Sequence, residues 1–254
     1  DYCHIVKGNT SEGCIPLPFN RASAEIVGDK SEEEIVDLVF KDYSEKMWGV
    51  DWEALPSSIK GRVPKIKDSY DACYHQDVYQ GIPIEGYTSI VKNMLEGITV
   101  HTNVDSNIWR KYNSDLLVYT GKLDNFFQNC RGELGYRSLE IKIEEAARQS
   151  CFQMNECNKG KPYTRTIDYS FLNDQLLENG NTVISREYPC EHTPNNTAFY
   201  PKNFKSDRHT LKEYTTLAKK QTNVIFLGRL ATYKYLDMDA AIGQSLCRLK
   251  PYCK

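Results

Sequence analysis

From Ile82 onward, short β-type runs alternate with helical ones, and that alternation confines the chain to an α/β architecture. Thr88–Glu96 carries helical spacing, Gly97 ends it, and Ile98–Val104 alternates like a strand. Leu116–Tyr119 reads as a short buried strand closed by Gly121, and Tyr136–Ile143 and Thr182–Glu187 are further strand candidates. Asp207–Lys220 has the pattern of a polar amphipathic helix and feeds into Val224–Leu227, a buried strand; Asp239–Leu249 is the closing helix. Upstream, Gly8, Gly13, Pro16 and Pro18 make residues 1–20 loop or short strand. Ser31-Glu32-Glu33-Glu34 is a capping box ahead of the apolar run Ile35–Phe40, so a helix is expected to begin there. Pro56, Pro64 and the polar stretch Lys65–Asp71 interrupt helical structure. No linker divides the chain, so residues 1–254 are expected to form a single domain.

Composition removes several function classes. A chain of 254 residues can bury a sizeable core, and 40% hydrophobic with 26% charged is neither disordered nor fibrous. A net charge of -2 speaks against a nucleic-acid partner, which an electrostatic binder would meet with a basic excess. No apolar run approaches the ~20 residues of a membrane span. Seventeen tyrosines against nine phenylalanines suit a surface that stacks on polar ligands and hydrogen-bonds to them.

Nine cysteines, Cys3, Cys14, Cys73, Cys130, Cys151, Cys157, Cys190, Cys247 and Cys253, are spread along the chain. They form no CxxC pair and no zinc-type cluster with histidine, so no metal site is expected. Dispersed cysteines in a chain this size read as disulfides made in an oxidising compartment. Two glycosylation sequons, at Asn9 and Asn195, point the same way. Together with a start at Asp1 that shows no signal peptide, these features predict a mature extracellular glycoprotein.

Local catalytic signals are sparse. His4, His75, His101, His192 and His209 lie far apart, and none adjoins an obvious nucleophile. No GxSxG, HExxH, Walker or GxGxxG motif occurs; Gly132-Glu133-Leu134-Gly135 lacks the spacing and the helix that would follow. The segment Gly228-Arg229-Leu230-Ala231-Thr232-Tyr233-Lys234-Tyr235-Leu236-Asp237-Met238-Asp239 stands out because it follows a buried strand and precedes the last helix. In open α/β sheets ligands gather beyond such strand ends, although, taken alone, the segment is better explained as an ordinary strand-to-helix turn with Asp237 or Asp239 as N-cap.

That segment resembles the C-terminal signature of the UDP-galactopyranose mutase family, flavoenzymes that interconvert the ring forms of UDP-galactose. Further stretches resemble the family in its own order. They are Pro16-Leu17-Pro18-Phe19-Asn20, Phe40 to Gly49 (FKDYSEKMWG), Tyr79 to Pro83 with Gly86-Tyr87-Thr88, Val118 to Gly121, Tyr136 to Leu139, Pro162 to Arg165 and Arg186 to Pro189. The resemblance implies a truncated Rossmann-like, mutase-like sheet with a shortened helical, uridine-binding insertion at residues 21–75. It implies that Tyr43 and Trp48 hold the uracil, that Arg62 and Arg165 meet the diphosphate from two sides, and that Tyr235 contacts phosphate. Two guanidinium forks suit a diphosphate because each can bond bidentately with a fixed charge. Asp237 is placed near flavin and sugar, with Arg229 and Asn20 beside the flavin. Phe199 replaces a tyrosine of the family's YYP element and so removes a hydroxyl expected at the phosphate.

The family's strand–GxGxxG–helix, which binds the FAD diphosphate, has no counterpart in the sequence. In the family, flavin N5 attacks the anomeric carbon and displaces UDP, so the cofactor performs the covalent chemistry. Without that module no bound cofactor is expected. The chain is read as a secreted, non-catalytic descendant with a structural role or a role in binding a glycan or UDP-sugar. The alternative is an active mutase whose FAD-binding segment lies on another chain or was removed. Loss of the first strand would expose sheet edges, through which the chain is expected to pair with itself as a homo-oligomer or filament.

Overall fold

The computed structural model describes residues 3–4, 31–61, 82–83, 86–105, 107–173 and 176–253. The chain divides into two compact units: the first comprises residues 1–47, 61–104 and 140–188, the second residues 48–60, 105–139 and 189–254. Nine strands are described: β1 (Cys3–His4), β2 (Ile82–Pro83), β3 (Leu117–Tyr119), β4 (Tyr136–Ala146), β5 (Gln153–Asn155), β6 (Arg165–Asp168), β7 (Thr182–Glu191), β8 (Tyr200–Pro201) and β9 (Val224–Phe226). Both parallel and antiparallel pairings occur among them, and helices separate them, so the expected α/β class holds.

In the first unit the capping box closes as the sequence predicts. The Ser31 N–H donates to Glu34 Oε2 at 2.8 Å, and the Glu34 N–H donates to Ser31 Oγ at 3.3 Å. One helical turn, Glu32–Ile35, widens into a π-type stretch, Val36–Lys41, and continues as the helix Asp42–Trp48, whose last residue belongs to the second unit. The helix Gly86–Met94 occupies most of the predicted span and its chain is turned by Gly97 at φ +76°.

Ile98–Val104 departs from expectation: it is not a strand. Ile98, Val100 and Val104 are all exposed, so its alternation of apolar residues faces no buried surface. The β-structure of this unit is instead a sheet in the order β5, β6, β7, β4, with β6 antiparallel to both neighbours. The β6 side of its buried face is polar: Thr166 and Asp168 point inward, and on the same face of β7 lie Thr182 and the buried Ile184 that pairs with Asp168. The Asp168 carboxylate satisfies this interior, accepting from the Gln149 and Ser170 N–H groups at 2.8 and 3.0 Å and from the Ser170 and Thr182 hydroxyls at 2.7 and 2.9 Å.

In the second unit β3 runs parallel to β9, with Leu117, Val118 and Tyr119 opposite Val224, Ile225 and Phe226. Val118 is exposed, so β3 is only half-buried where the sequence suggested a buried strand. β8 pairs antiparallel with the start of β4, placing Tyr136 opposite Pro201. The core gathers Leu123, Leu134, Tyr136, Ala198, Tyr214 and Tyr233, with Phe127, Leu211, Leu217 and Phe226 packed against it. Tyr214 is fully buried because its hydroxyl is satisfied: it donates to Gly132 O at 2.7 Å and accepts from the Arg131 N–H at 3.0 Å. The helices Arg208–Lys219 and Met238–Leu249 fall within a residue of their predicted starts and ends.

The disulfide expectation meets a correction. Cys130, Cys151, Cys157, Cys190, Cys247 and Cys253 are all free thiols. Cys14 and Cys73 lie outside the described residues. Among the described residues no helix is long and apolar enough to cross a membrane, and no histidine, cysteine or carboxylate cluster could hold a metal ion.

Candidate functional site

In the second unit the loop after β9 builds a compact aromatic site. The short helix Gly228–Ala231 follows the strand, and Gly228 adopts φ +78° to let the chain turn. The next residues are held from inside. Tyr233, at φ 51° and almost wholly buried, places its hydroxyl 2.6 Å from Gly135 O and 2.9 Å from Asp207 Oδ2, and accepts the Asn203 N–H at 3.3 Å. Burial, reinforced by the nearby Asp207 carboxylate, pushes the Tyr233 pKa far above the ordinary phenol range, so this hydroxyl stays protonated. With Tyr233 anchored inward, Tyr235 is presented two residues further on.

Tyr235 stacks on Tyr200 with ring centroids 5.5 Å apart and planes 15° from parallel. Trp48 meets both rings at 6.2 Å in tilted or edge-on geometry. The Arg229 guanidinium lies 4.6 Å from the Tyr235 ring centroid and 5.0 Å from that of Tyr200. It is fixed by backbone carbonyls: Nε and Nη2 donate to Leu236 O at 2.9 and 2.5 Å, and Nη1 donates to Phe199 O at 3.2 Å. Phe199 packs beside Tyr200 at 6.3 Å. Asp237 precedes the last helix, and its carbonyl accepts the Ala241 N–H at 2.9 Å. The structure therefore gathers Trp48, Phe199, Arg229 and Tyr235 around Tyr200. A stacked pair with a guanidinium on its faces offers flat π-surface and fixed positive charge to a polar, anionic ligand.

In the first unit Tyr43 sits on the helix Asp42–Trp48, one turn before Lys46. Arg165 opens β6, paired with Asn155 of β5 on one side and Glu187 of β7 on the other. Its Nη1 lies 3.5 Å from Glu187 Oε2, an ion pair that aims the guanidinium. Arg62, Asn20 and the Asn9 sequon lie outside the described residues; Asn195 is exposed in a turn of the second unit.

The sequence reading gave no role to three residues of these clusters. Tyr200 is legible as the second aromatic of Phe199-Tyr200-Pro201, but nothing in the sequence marks it as the ring on which Tyr235 stacks. Glu187 lay within Arg186-Glu187-Tyr188-Pro189, and only strand register identifies it as the partner of Arg165. Lys46 lay within the Phe40–Gly49 motif, and its spacing carries no sign of its contacts.

Comparison with known proteins gives a consistent result. The family model described as UDP-galactopyranose mutase matches residues 38–235. A probable UDP-galactopyranose mutase of Klebsiella pneumoniae is 32% identical over 239 residues, covering 91% of this chain and 60% of that protein. A dTDP-fucopyranose mutase of Escherichia coli is 29% identical, covering 94% of this chain and 65% of that protein. A UDP-galactopyranose mutase of Mycoplasma pneumoniae is 33% identical, covering 83% and 57%. Among solved structures, that of a reduced UDP-galactopyranose mutase superposes with a TM-score of 0.57 at 14% identity, covering 90% of this chain and 65% of the other; at that identity it speaks to the fold alone. The chain thus spans about three-fifths of the length of the curated relatives it matches.

Proposed function

Because the chain belongs to the UDP-galactopyranose mutase family, we propose that it binds a uridine diphosphate sugar, with Tyr200, Tyr235 and Arg229 as a recognition surface backed by the buried Trp48. The observation that carries this reading is the Arg229 guanidinium held by two carbonyls against the stacked Tyr200 and Tyr235 rings. Stacked aromatic faces accept a nucleobase or sugar face at low entropic cost, and a fixed cation favours the diphosphate. Considered by itself, the first unit also carries residues that the family resemblance assigns to the nucleotide: Arg165, already aimed by Glu187, and Tyr43.

Members of the family use FAD, so the described residues must be asked whether they fit it. They do not fit its diphosphate. The Gly228 N–H, at the start of the one short helix after β9, is already bonded to Gln244 Oε1 at 2.8 Å. Among the described residues no glycine-rich strand–helix turn forms a cradle of backbone N–H groups. The reading therefore assigns nucleotide-sugar recognition to this chain. Interconversion of ring forms would draw on flavin held by polypeptide beyond the described residues, as in the active-mutase alternative. The disulfide argument for a secreted, non-catalytic descendant gains no support from the free thiols.

Calorimetric titration with UDP and UDP-galactose tests the proposal. Saturable binding is expected for the wild type, and Tyr235→Ala and Arg229→Met are each expected to weaken it by about tenfold or more. A folded wild-type chain giving no saturable heat with either ligand sinks the reading.

A further inference from the structure

Lys46 has an unusual environment within the first unit. Its Nζ lies 2.7 Å from Glu156 O, 2.9 Å from Asn158 O, 3.2 Å from Lys161 O and 2.9 Å from Tyr163 O. An ammonium has three protons to give, so four converging carbonyl oxygens exceed its donors. The arrangement is that of a cation surrounded by carbonyl dipoles, as in ion-coordinating backbone sites. All four oxygens belong to the loop that joins β5 to β6. Carbonyl oxygens turned toward one point repel one another unless a positive charge stands there, so the loop's shape depends on Lys46. Two ion pairs reinforce the clasp: Lys159 Nζ to Glu45 at 2.6 Å, from loop to helix, and Lys161 Nζ to Glu156 at 2.8 Å, within the loop. Burial lowers the Lys46 pKa, while the Glu156 carboxylate pulls it back up.

The clasp joins two elements that each carry a residue assigned to the nucleotide. Lys46 follows Tyr43 by one helical turn, and the last carbonyl of the cage, that of Tyr163, is two residues before Arg165. We propose that Lys46 is a positioning residue for nucleoside diphosphate binding: its ammonium, as a tethered cation, fixes the β5–β6 loop to the helix Asp42–Trp48 and so sets Arg165 for the diphosphate. This rests on the nucleotide-sugar reading of the site.

The test compares UDP affinity by calorimetry for the wild type, Lys46→Met, Arg165→Ala and the double variant, with amide hydrogen exchange read over residues 156–163 and 182–187. Lys46→Met keeps the apolar stem and removes the charge. It is expected to bind UDP about tenfold more weakly, with faster exchange over 156–163 and unchanged exchange over 182–187. Adding it to Arg165→Ala is expected to cost little more, because both act through one guanidinium. Wild-type affinity in Lys46→Met, or fully additive losses in the double variant, overturns the proposal. A wild type that binds no UDP removes the site reading and this inference together. Should Lys46→Met lose protection over 182–187 as well, Lys46→Ala titrated with n-propylammonium decides. Recovery of UDP affinity with the amine and not with n-propanol supports the role, and no recovery overturns it.

Discussion

A β-carbon placed on Gly49 would stand 2.9 Å from Arg137 Nη1, inside any real carbon–nitrogen contact. Gly49 also sits at φ +69°, where a side chain is strained whatever the space. The guanidinium cannot easily give way. It is almost completely buried, bonded to Glu191 Oε1 at 2.7 Å, and Glu191 is in turn held by Lys202 at 2.5 Å. Gly49→Ala is therefore expected to destabilise the protein by about 1–3 kcal/mol in urea denaturation. Because Trp48 immediately precedes Gly49, the same change is expected to weaken UDP binding. Stability within about 0.5 kcal/mol of wild type shows that the contact yields freely.

Tyr233→Phe isolates the anchor beneath the aromatic site. The ring remains, but Gly135 O and the Asn203 N–H lose a buried partner and Asp207 loses one of its donors. The expected loss is about 1–3 kcal/mol at neutral pH. Burial raises the pKa of Tyr136, Tyr214 and Tyr233 in the folded state. Their contribution is complete below the ordinary phenol pKa of about 10 and is lost as pH rises above it toward the folded values. The gap between wild type and Tyr233→Phe should therefore narrow in alkali, and a gap constant from neutral pH to pH ~11 contradicts this origin.

The sequence revealed elements whose apolar residues keep a helical or strand period and meet a buried surface. The helix Arg208–Lys219 and strand β9 are of this kind, with Tyr214, Ile225 and Leu227 inward. Ile98–Val104 kept the period without the surface, and was misread. β5 and β6 escaped because the inward side of β6 carries Thr166 and Asp168, with Thr164 just before it, where hydrophobic alternation has nothing to register. At the site, Trp48, Arg229 and Tyr235 were legible through their motifs. The Tyr200 stack, the Glu187 partner of Arg165 and the Lys46 cage depend on register and on carbonyl directions, which residue identity does not encode.

The thiols divide by environment. Cys130, Cys247 and Cys253 are exposed, whereas Cys151 is buried and Cys157 half-buried, and burial raises the pKa of the latter two. Thiolate is the reactive form, so Ellman titration of the native, unreduced protein is expected to show a fast phase from the exposed three and slow release of Cys151 and Cys157. Denaturation without reductant should bring the remaining described thiols into the count. Intact mass that rises only after reduction and alkylation would instead identify disulfides among these six.

Asp168 supplies the clearest acid-dependent term. Burial raises its pKa, but the Gln149 N–H, the Ser170 and Thr182 hydroxyls and the Ser170 N–H together outweigh burial and hold it below the ordinary aspartate value. A carboxyl with a depressed folded pKa stabilises in full above the unfolded value of about 3.9, and that stability is lost as pH falls through the lower folded value. Asp168→Asn removes the charge and points an amide NH2 at groups that are themselves donors. At neutral pH it is expected to cost about 2–4 kcal/mol, the range for breaking a buried charged network from one side. Below pH ~4 the wild type gives up the same stabilisation, so the two urea midpoints should converge there. A separation that persists undiminished at pH ~3 means that packing around Thr166 and Thr182, not the charge, is what the substitution disturbs.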